Sequence, residues 1–220
     1  MRVCSSIDFP EIVHVFSPTH YVRHSQGEDE FSRRLNNFYI YGNEPEVFLR
    51  MVMDLFDRHF KNDPLKYDFV TLQPSRIKNS INNNMKSLVG NFSKETNIEY
   101  KQILNRNKTI KGNHELNTYE ERKKNMEGSI EVTTNVKGKN ILILDNITTT
   151  GTSLLYSANL LKEKGAKNVV CIVLGLSDAE KETDFDLTPK RTASFFMEKF
   201  KSKKISKEKR EEWKKATLSN

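Results

Sequence analysis

A chain of 220 residues with 36% hydrophobic and 30% charged side chains can build one α/β core under a very polar surface, and its 13 Phe and 7 Tyr exclude a disordered composition. No apolar run approaches the ~20 residues that span a bilayer, and the first twenty residues lack the basic and apolar segments of a signal peptide, so no membrane contact and a cytoplasmic location are expected. The formal net charge of +7 resides entirely in residues 190–220, where eleven Lys/Arg face four acids.

Residues 1–43 are rich in His, Tyr and Arg without a clear period and read as a variable N-terminal hood of irregular structure with short strands. From Glu44 the pattern changes. Pro45 suits a first helical turn, and Val47, Phe48, Met51, Val52, Leu55, Phe56 and Phe60 recur at helical spacing. Asn62-Asp63-Pro64 breaks that helix, and Tyr67–Leu72 reads as a strand ended by Pro74. Ile77, Ile81, Met85, Leu88, Val89 and Phe92 predict a second helix to about Asn97, followed by a strand over Ile98–Leu104. Residues 105–128 form a long polar stretch, and loops of that length within a domain are usually functional or disordered.

The clearest unit comes next. Ile141–Leu144 is apolar on both faces, as a central parallel strand covered by helices must be. A turn over 145–151 leads into a helix with Leu154, Leu155, Ala158 and Leu161 on one face, Gly165 ends it, and Val169–Leu176 is a second buried strand. The segment 141–176 is therefore a βαβ unit within a domain over 44–189. Cys171 lies inside the apolar strand and far from Cys4, so both are expected as reduced thiols, and a cysteine-built zinc site is excluded.

Ligands of open parallel sheets bind where strands end and the next helix presents free N–H groups, which makes an anion the expected guest after Leu144. Thr148, Thr149, Thr150, Thr152 and Ser153 add hydroxyls there, and Gly151 lets the backbone close around a tetrahedral oxyanion. Asp145 stands just before this cradle, placed to accept hydrogen bonds from the vicinal hydroxyls of a ribose whose 5-phosphate fills it. The other nucleotide-binding glycine motifs are absent. Threonines that merely cap a helix are the structural alternative.

The stretch Ile141–Ser153 resembles the phosphoribosylpyrophosphate motif of type I phosphoribosyltransferases: four apolar residues, two acids, an aliphatic, any residue, then Thr-Thr-Gly-x-Thr. Upstream, Leu104, Arg106, Leu116, Arg122, Asn125 and Gly128 resemble the spaced pattern of ComF-type members, phosphoribosyltransferase-like proteins associated with DNA uptake, over residues 65–176. The resemblance implies an α/β fold with an open, mainly parallel sheet flanked by helices. It implies that Asp145 and Asn146 hold the ribose hydroxyls and serve catalysis, and that residues 148–153 hold the 5-phosphate. Pro74, Ser75 and Arg76 would form a pyrophosphate loop. Mg²⁺ would bridge pyrophosphate and ribose without a dedicated set of protein ligands, Asp145 being the one carboxylate near it. Two departures stand out: the second acid of the motif is Asn146, and the Cys-rich zinc module of ComF-type proteins is absent.

The resemblance thus implies an enzyme that transfers phosphoribosyl from phosphoribosylpyrophosphate, or uses a related ribose 5-phosphate ligand, to a nitrogen nucleophile. A non-catalytic ligand-sensing or nucleic-acid-associated protein using the same pocket, in DNA uptake or defence, is the alternative. Other residues carry weaker signals. His14, His20 and His24 with Glu28 or Asp29 match no metal-binding spacing, Tyr21 and Arg23 suit an acceptor-recognising hood, and Lys108 and Lys111 suit a flap over leaving pyrophosphate. The basic helical tail 190–220 is a solvated face or a nucleic-acid contact. A homodimer is compatible with the sequence.

Overall fold

The computed structural model describes residues 2–6, 9–22, 27, 29–60, 66–112, 115–116, 118–149 and 151–177. The basic tail, Arg23, His24, Glu28 and Thr150 lie outside them. The strands are β1 (Arg2–Ser6), β2 (Phe9–Phe16), β3 (Phe69–Leu72), β4 (Glu99–Tyr100), β5 (Leu104–Arg106), β6 (Ile130–Val132), β7 (Asn140–Thr148) and β8 (Asn168–Leu176). The helices are α1 (Glu30–Tyr41), α2 (Pro45–His59), α3 (Asn83–Thr96), α4 (Tyr119–Met126) and α5 (Thr152–Glu163). Six strands form one sheet in the order β1-β2-β8-β7-β3-β4, and β5 pairs with β6 in a separate ribbon. Five of the six run parallel, and only β1 is antiparallel to its neighbour β2. This is the mainly parallel, helix-flanked sheet that the sequence resemblance implies.

The alternation of β7 shows why its apolar run has no polar face. Leu142 and Leu144 enter a core with α1, α2 and α3, whereas Ile141 and Ile143 enter a second core with α5 and the β5–β6 ribbon. In the first core Phe38 stacks on Phe48 with ring centroids 4.7 Å apart, joining α1 to α2. On the other face Leu154, Ala158 and Leu161 of α5 are fully buried.

Several sequence expectations shift. Residues 30–41, read as irregular, form α1: the Asp29 carboxylate caps it by accepting from the Ser32 N–H at 2.7 Å, and Phe31, Leu35 and Phe38 make its buried stripe. The second predicted helix starts six residues later than its first apolar residue. Ile77 is 52% exposed in a loop, and Asn82, which accepts from the Met85 N–H, caps α3. The strand expected over 98–104 divides between β4 in the main sheet and β5 in the ribbon. The polar stretch 105–128 contains α4, started by a capping box between Thr118 and Glu121. Finally β7 continues through Asp145 to Thr148, because its ladder with β8 extends to the Thr148–Leu176 pair.

Candidate functional site

The parallel pairing of β3 with β7 sets the site. Leu72 is level with Leu144, and the Gln73 N–H donates to the Leu144 carbonyl at 2.9 Å, so the chain leaving β3 stands beside Asp145. A cleft of about 410 Å³ opens there, within the range that holds small ligands. Pro74, Ser75 and Arg76 line it together with Asp145, Asn146 and Ser153.

The turn from β7 into α5 borders this cleft. The Thr148 carbonyl is held by the Ser177 N–H at 2.8 Å, which finishes the strand. Gly151 takes φ +76°, a left-handed conformation that suits glycine, and begins α5 with no side-chain cap. The first turn of a helix has N–H groups with no intrahelical acceptor, and here Thr152 and Ser153 occupy it. Thr148 and Thr152 are almost fully buried. Thus Asp145, Asn146 and Ser153 face the cleft, whereas Thr148, Thr149, Gly151 and Thr152 make up the turn beside it and Thr150 lies outside the described residues. The two halves are tied across the sheet, since the Gln73 side-chain amide donates to the Ser153 carbonyl at 3.3 Å.

Burial pushes the Asp145 carboxyl up to about 7, against the Asn146 N–H that donates to it at 2.8 Å and the field of Arg106. The carboxyl therefore titrates near neutrality. Burial also pulls the Arg106 guanidinium down to about 10, which leaves it charged at pH 7. Tyr39 is raised by burial and then by Asp145, which places its phenol in the field of that carboxylate.

Tyr39 and Arg106 line the cleft as well, and neither was a sequence candidate for direct contact with it. Tyr39 arrives through α1: its carbonyl accepts from the side-chain amides of Asn82 at 3.0 Å and Asn84 at 3.1 Å, fixing the end of α1 against the start of α3. The signal was present, since Tyr39 lies four residues beyond Leu35 on a helical stripe.

The stretch 105–128 folds back toward the cleft. Lys111 and Gly112 reach its lining. Asn125 clamps the Lys111 backbone twice, accepting from its N–H at 3.1 Å and donating to its carbonyl at 3.0 Å, and Arg122 donates to the Leu116 carbonyl. Lys108 is turned aside to the Glu127 carbonyl at 2.6 Å. His14 stands on β2 and His20 at an isolated bridge to Leu176; among the described residues no three His, Cys, Asp or Glu side chains gather to hold a metal. Among them, too, no helix is long and apolar enough to cross a membrane.

Residues 90–196 match the family model of the phosphoribosyl transferase domain, a stretch that includes the β7–α5 turn and Arg106 but not Pro74–Arg76. Among solved structures, the chain is similar to a hypoxanthine phosphoribosyltransferase from Staphylococcus aureus, at 15% identity over 64% of this chain and 71% of that one, with a TM-score of 0.40. It is also similar to glutamine phosphoribosylpyrophosphate amidotransferase from B. subtilis, at 18% identity over 62% of this chain and TM-score 0.40, and to an allosteric regulatory enzyme of purine biosynthesis, at 17% identity over 67% of this chain and TM-score 0.37. The chain spans only 30% and 26% of the length of these last two. No curated protein matches the chain.

Proposed function

We propose that the chain binds phosphoribosylpyrophosphate, or a related ribose 5-phosphate ligand, in the cleft between β3 and β7 and transfers the phosphoribosyl group to a nitrogen nucleophile. One observation carries this reading: Pro74, Ser75 and Arg76 line the same cleft as Asp145, Asn146 and Ser153, about seventy residues away in sequence, at the carboxyl ends of adjacent parallel strands. In this reading the N–H groups and hydroxyls of residues 148–153 hold the 5-phosphate, and Asp145 and Asn146 accept from or donate to the ribose hydroxyls. The loop 74–76 faces the pyrophosphate. The nitrogen attacks C1 of the ribose, the C1–oxygen bond to pyrophosphate breaks with its electron pair leaving on the pyrophosphate, and the nitrogen loses a proton.

A divalent cation fits this donor set only as ligand-borne. Mg²⁺ keeps several waters and takes one or two carboxylates together with substrate phosphates, and a single carboxylate, Asp145, faces the cleft. Bound with the pyrophosphate, it would neutralise charge on the leaving group. The positions that resemble the ComF-type pattern support placing the chain near those proteins: Arg106, Leu116, Arg122 and Asn125 form bonds that fold the 105–128 stretch beside the cleft.

Asn146 favours a second reading, a pocket that senses the ligand without turning it over. An amide keeps a hydrogen bond but removes a negative charge facing an oxocarbenium-like, positive transition state. Pyrophosphate release separates the two readings. The full-length protein, given phosphoribosylpyrophosphate, Mg²⁺ and a panel of nitrogen nucleophiles, is expected to release pyrophosphate with at least one acceptor. Saturable binding with no release from any acceptor would favour the sensor.

A further inference from the structure

The loop after β3 owes its shape to one buried cation. Arg106 is 2% exposed, and its Nε donates to the Ser75 carbonyl at 3.0 Å while Nη2 reaches the Pro74 carbonyl at 3.5 Å. Nη1 donates to the Ser129 hydroxyl at 2.6 Å, which anchors the guanidinium to the segment before β6. A buried guanidinium must be compensated by hydrogen bonds, and without it the Pro74 and Ser75 carbonyls and the Ser129 hydroxyl would lose their donor. What the guanidinium does that an apolar side chain cannot is orient peptide groups.

A trans peptide unit is planar, with its N–H and C=O pointing in opposite directions. The Ser75 carbonyl faces Arg106, so the N–H of Arg76 points away from it. The neighbouring N–H groups are all occupied. Ser75 donates to the Ser80 carbonyl, Ile77 to the Ser75 hydroxyl, Lys78 to the Thr109 hydroxyl, Asn79 to the Arg106 carbonyl and Ser80 to the Ile77 carbonyl. Among the described residues only the Arg76 N–H of this loop, residues 75–80, has no acceptor, and Arg76 lines the cleft.

We propose that Arg106 is the positioning residue of this loop: by holding the Pro74 and Ser75 carbonyls on its own side, it turns the Arg76 N–H outward as the backbone donor for a diphosphate anion. The inference rests on the phosphoribosyl reading for the identity of that anion, but the geometry of the loop stands apart from it. Lysine at position 106 would keep the charge and lose the fork that grips two carbonyls at once.

Calorimetric titration of the full-length protein with inorganic pyrophosphate and, separately, with ribose 5-phosphate tests this. Arg106→Lys is expected to weaken pyrophosphate binding about tenfold, the size of one hydrogen bond to a charged group, while leaving ribose 5-phosphate binding unchanged. A merely structural role would weaken both alike. Should Arg106→Lys fail to fold by circular dichroism, Ser129→Ala frees one end of the guanidinium and is expected to give a smaller loss for pyrophosphate alone. Unchanged pyrophosphate affinity in a folded variant, or equal losses for both ligands, overturns the assignment. Wild-type protein that binds pyrophosphate but not ribose 5-phosphate would sink the phosphoribosyl reading and leave the Arg106 comparison intact; binding of neither would overturn both.

Discussion

Asp145 is held where its protonation matters at neutral pH. Burial lifts its carboxyl from 3.8 to about 7, so the folded protein takes up a proton between those values. The stability linked to this group is fully present below the ordinary carboxylate range and is lost as pH rises through about 7. Asp145→Asn removes that loss. The variant is expected to resist urea better than the wild type at pH 8, by about 1–2 kcal/mol, and to match it at about pH 3.5, below the ordinary carboxylate range. Equal stability at both pH values would mean that the carboxyl is not buried as described. Ribose hydroxyls donate to the ionised form, so ligand affinity of the wild type should rise from pH 6 to pH 8 and that of Asp145→Asn should not. The neighbouring residue gives a complementary prediction. If the enzyme reading holds, Asn146→Asp restores a charge opposite a developing cation, and turnover should rise about tenfold, the difference between neutral and charge-assisted hydrogen bonds. Steady-state pyrophosphate release measures it, and no change would favour the sensor.

The elements that place these residues were unequally legible. The unit β7–α5–β8 could be read because its signals are contiguous: an apolar run, turn chemistry and an amphipathic stripe follow one another within 140–176. α1 could not, since Arg33, Arg34, Asn36 and Asn37 dilute a stripe of only three buried aromatic and aliphatic positions, and its stability comes from packing on α2 and β8. α4 is short and polar, held by its capping box and by Asn125 across the chain. Pro74 marked the loop half of the cleft, but the burial of Arg106 beneath it is a tertiary fact with no local signature. The same packing makes β8 sensitive at one point. A Cβ on Gly175 would come within 2.9 Å of the Tyr21 Cβ and 3.1 Å of Leu35, between the strand and α1. The Tyr21 Cβ is fixed to its backbone and cannot swing away, although the Leu35 contact is with a terminal methyl. Gly175→Ala should therefore destabilise the fold by about 1–3 kcal/mol in chemical denaturation, as overpacked sites do. A neutral result would show that α1 is not seated against β8.

At the scale of the whole molecule, the charge is separated from the site. Residues 1–189 are neutral overall and 190–220 carry the net +7. Its charge leaves two roles to separate by experiment, a solvated basic segment or a contact with nucleic acid. Deleting residues 201–220 should leave ligand binding intact in either case. Under the nucleic-acid role the deletion abolishes gel-shift binding to RNA or DNA, and the full chain loses affinity between low and moderate salt; absence of salt-sensitive binding at low ionic strength leaves the tail a solvated face. The central claim concerns the β7–α5 turn, where Gly151 adopts φ +76° at the start of α5. Titration of phosphoribosylpyrophosphate with Mg²⁺ into the wild type and Gly151→Val, with the fold of each checked by circular dichroism, tests it most directly. Saturable binding in the wild type that weakens at least about tenfold in the variant is the predicted result, because a branched side chain strains the left-handed backbone and fills the anion cradle. No binding in the wild type, or equal affinity in a folded Gly151→Val, would contradict it.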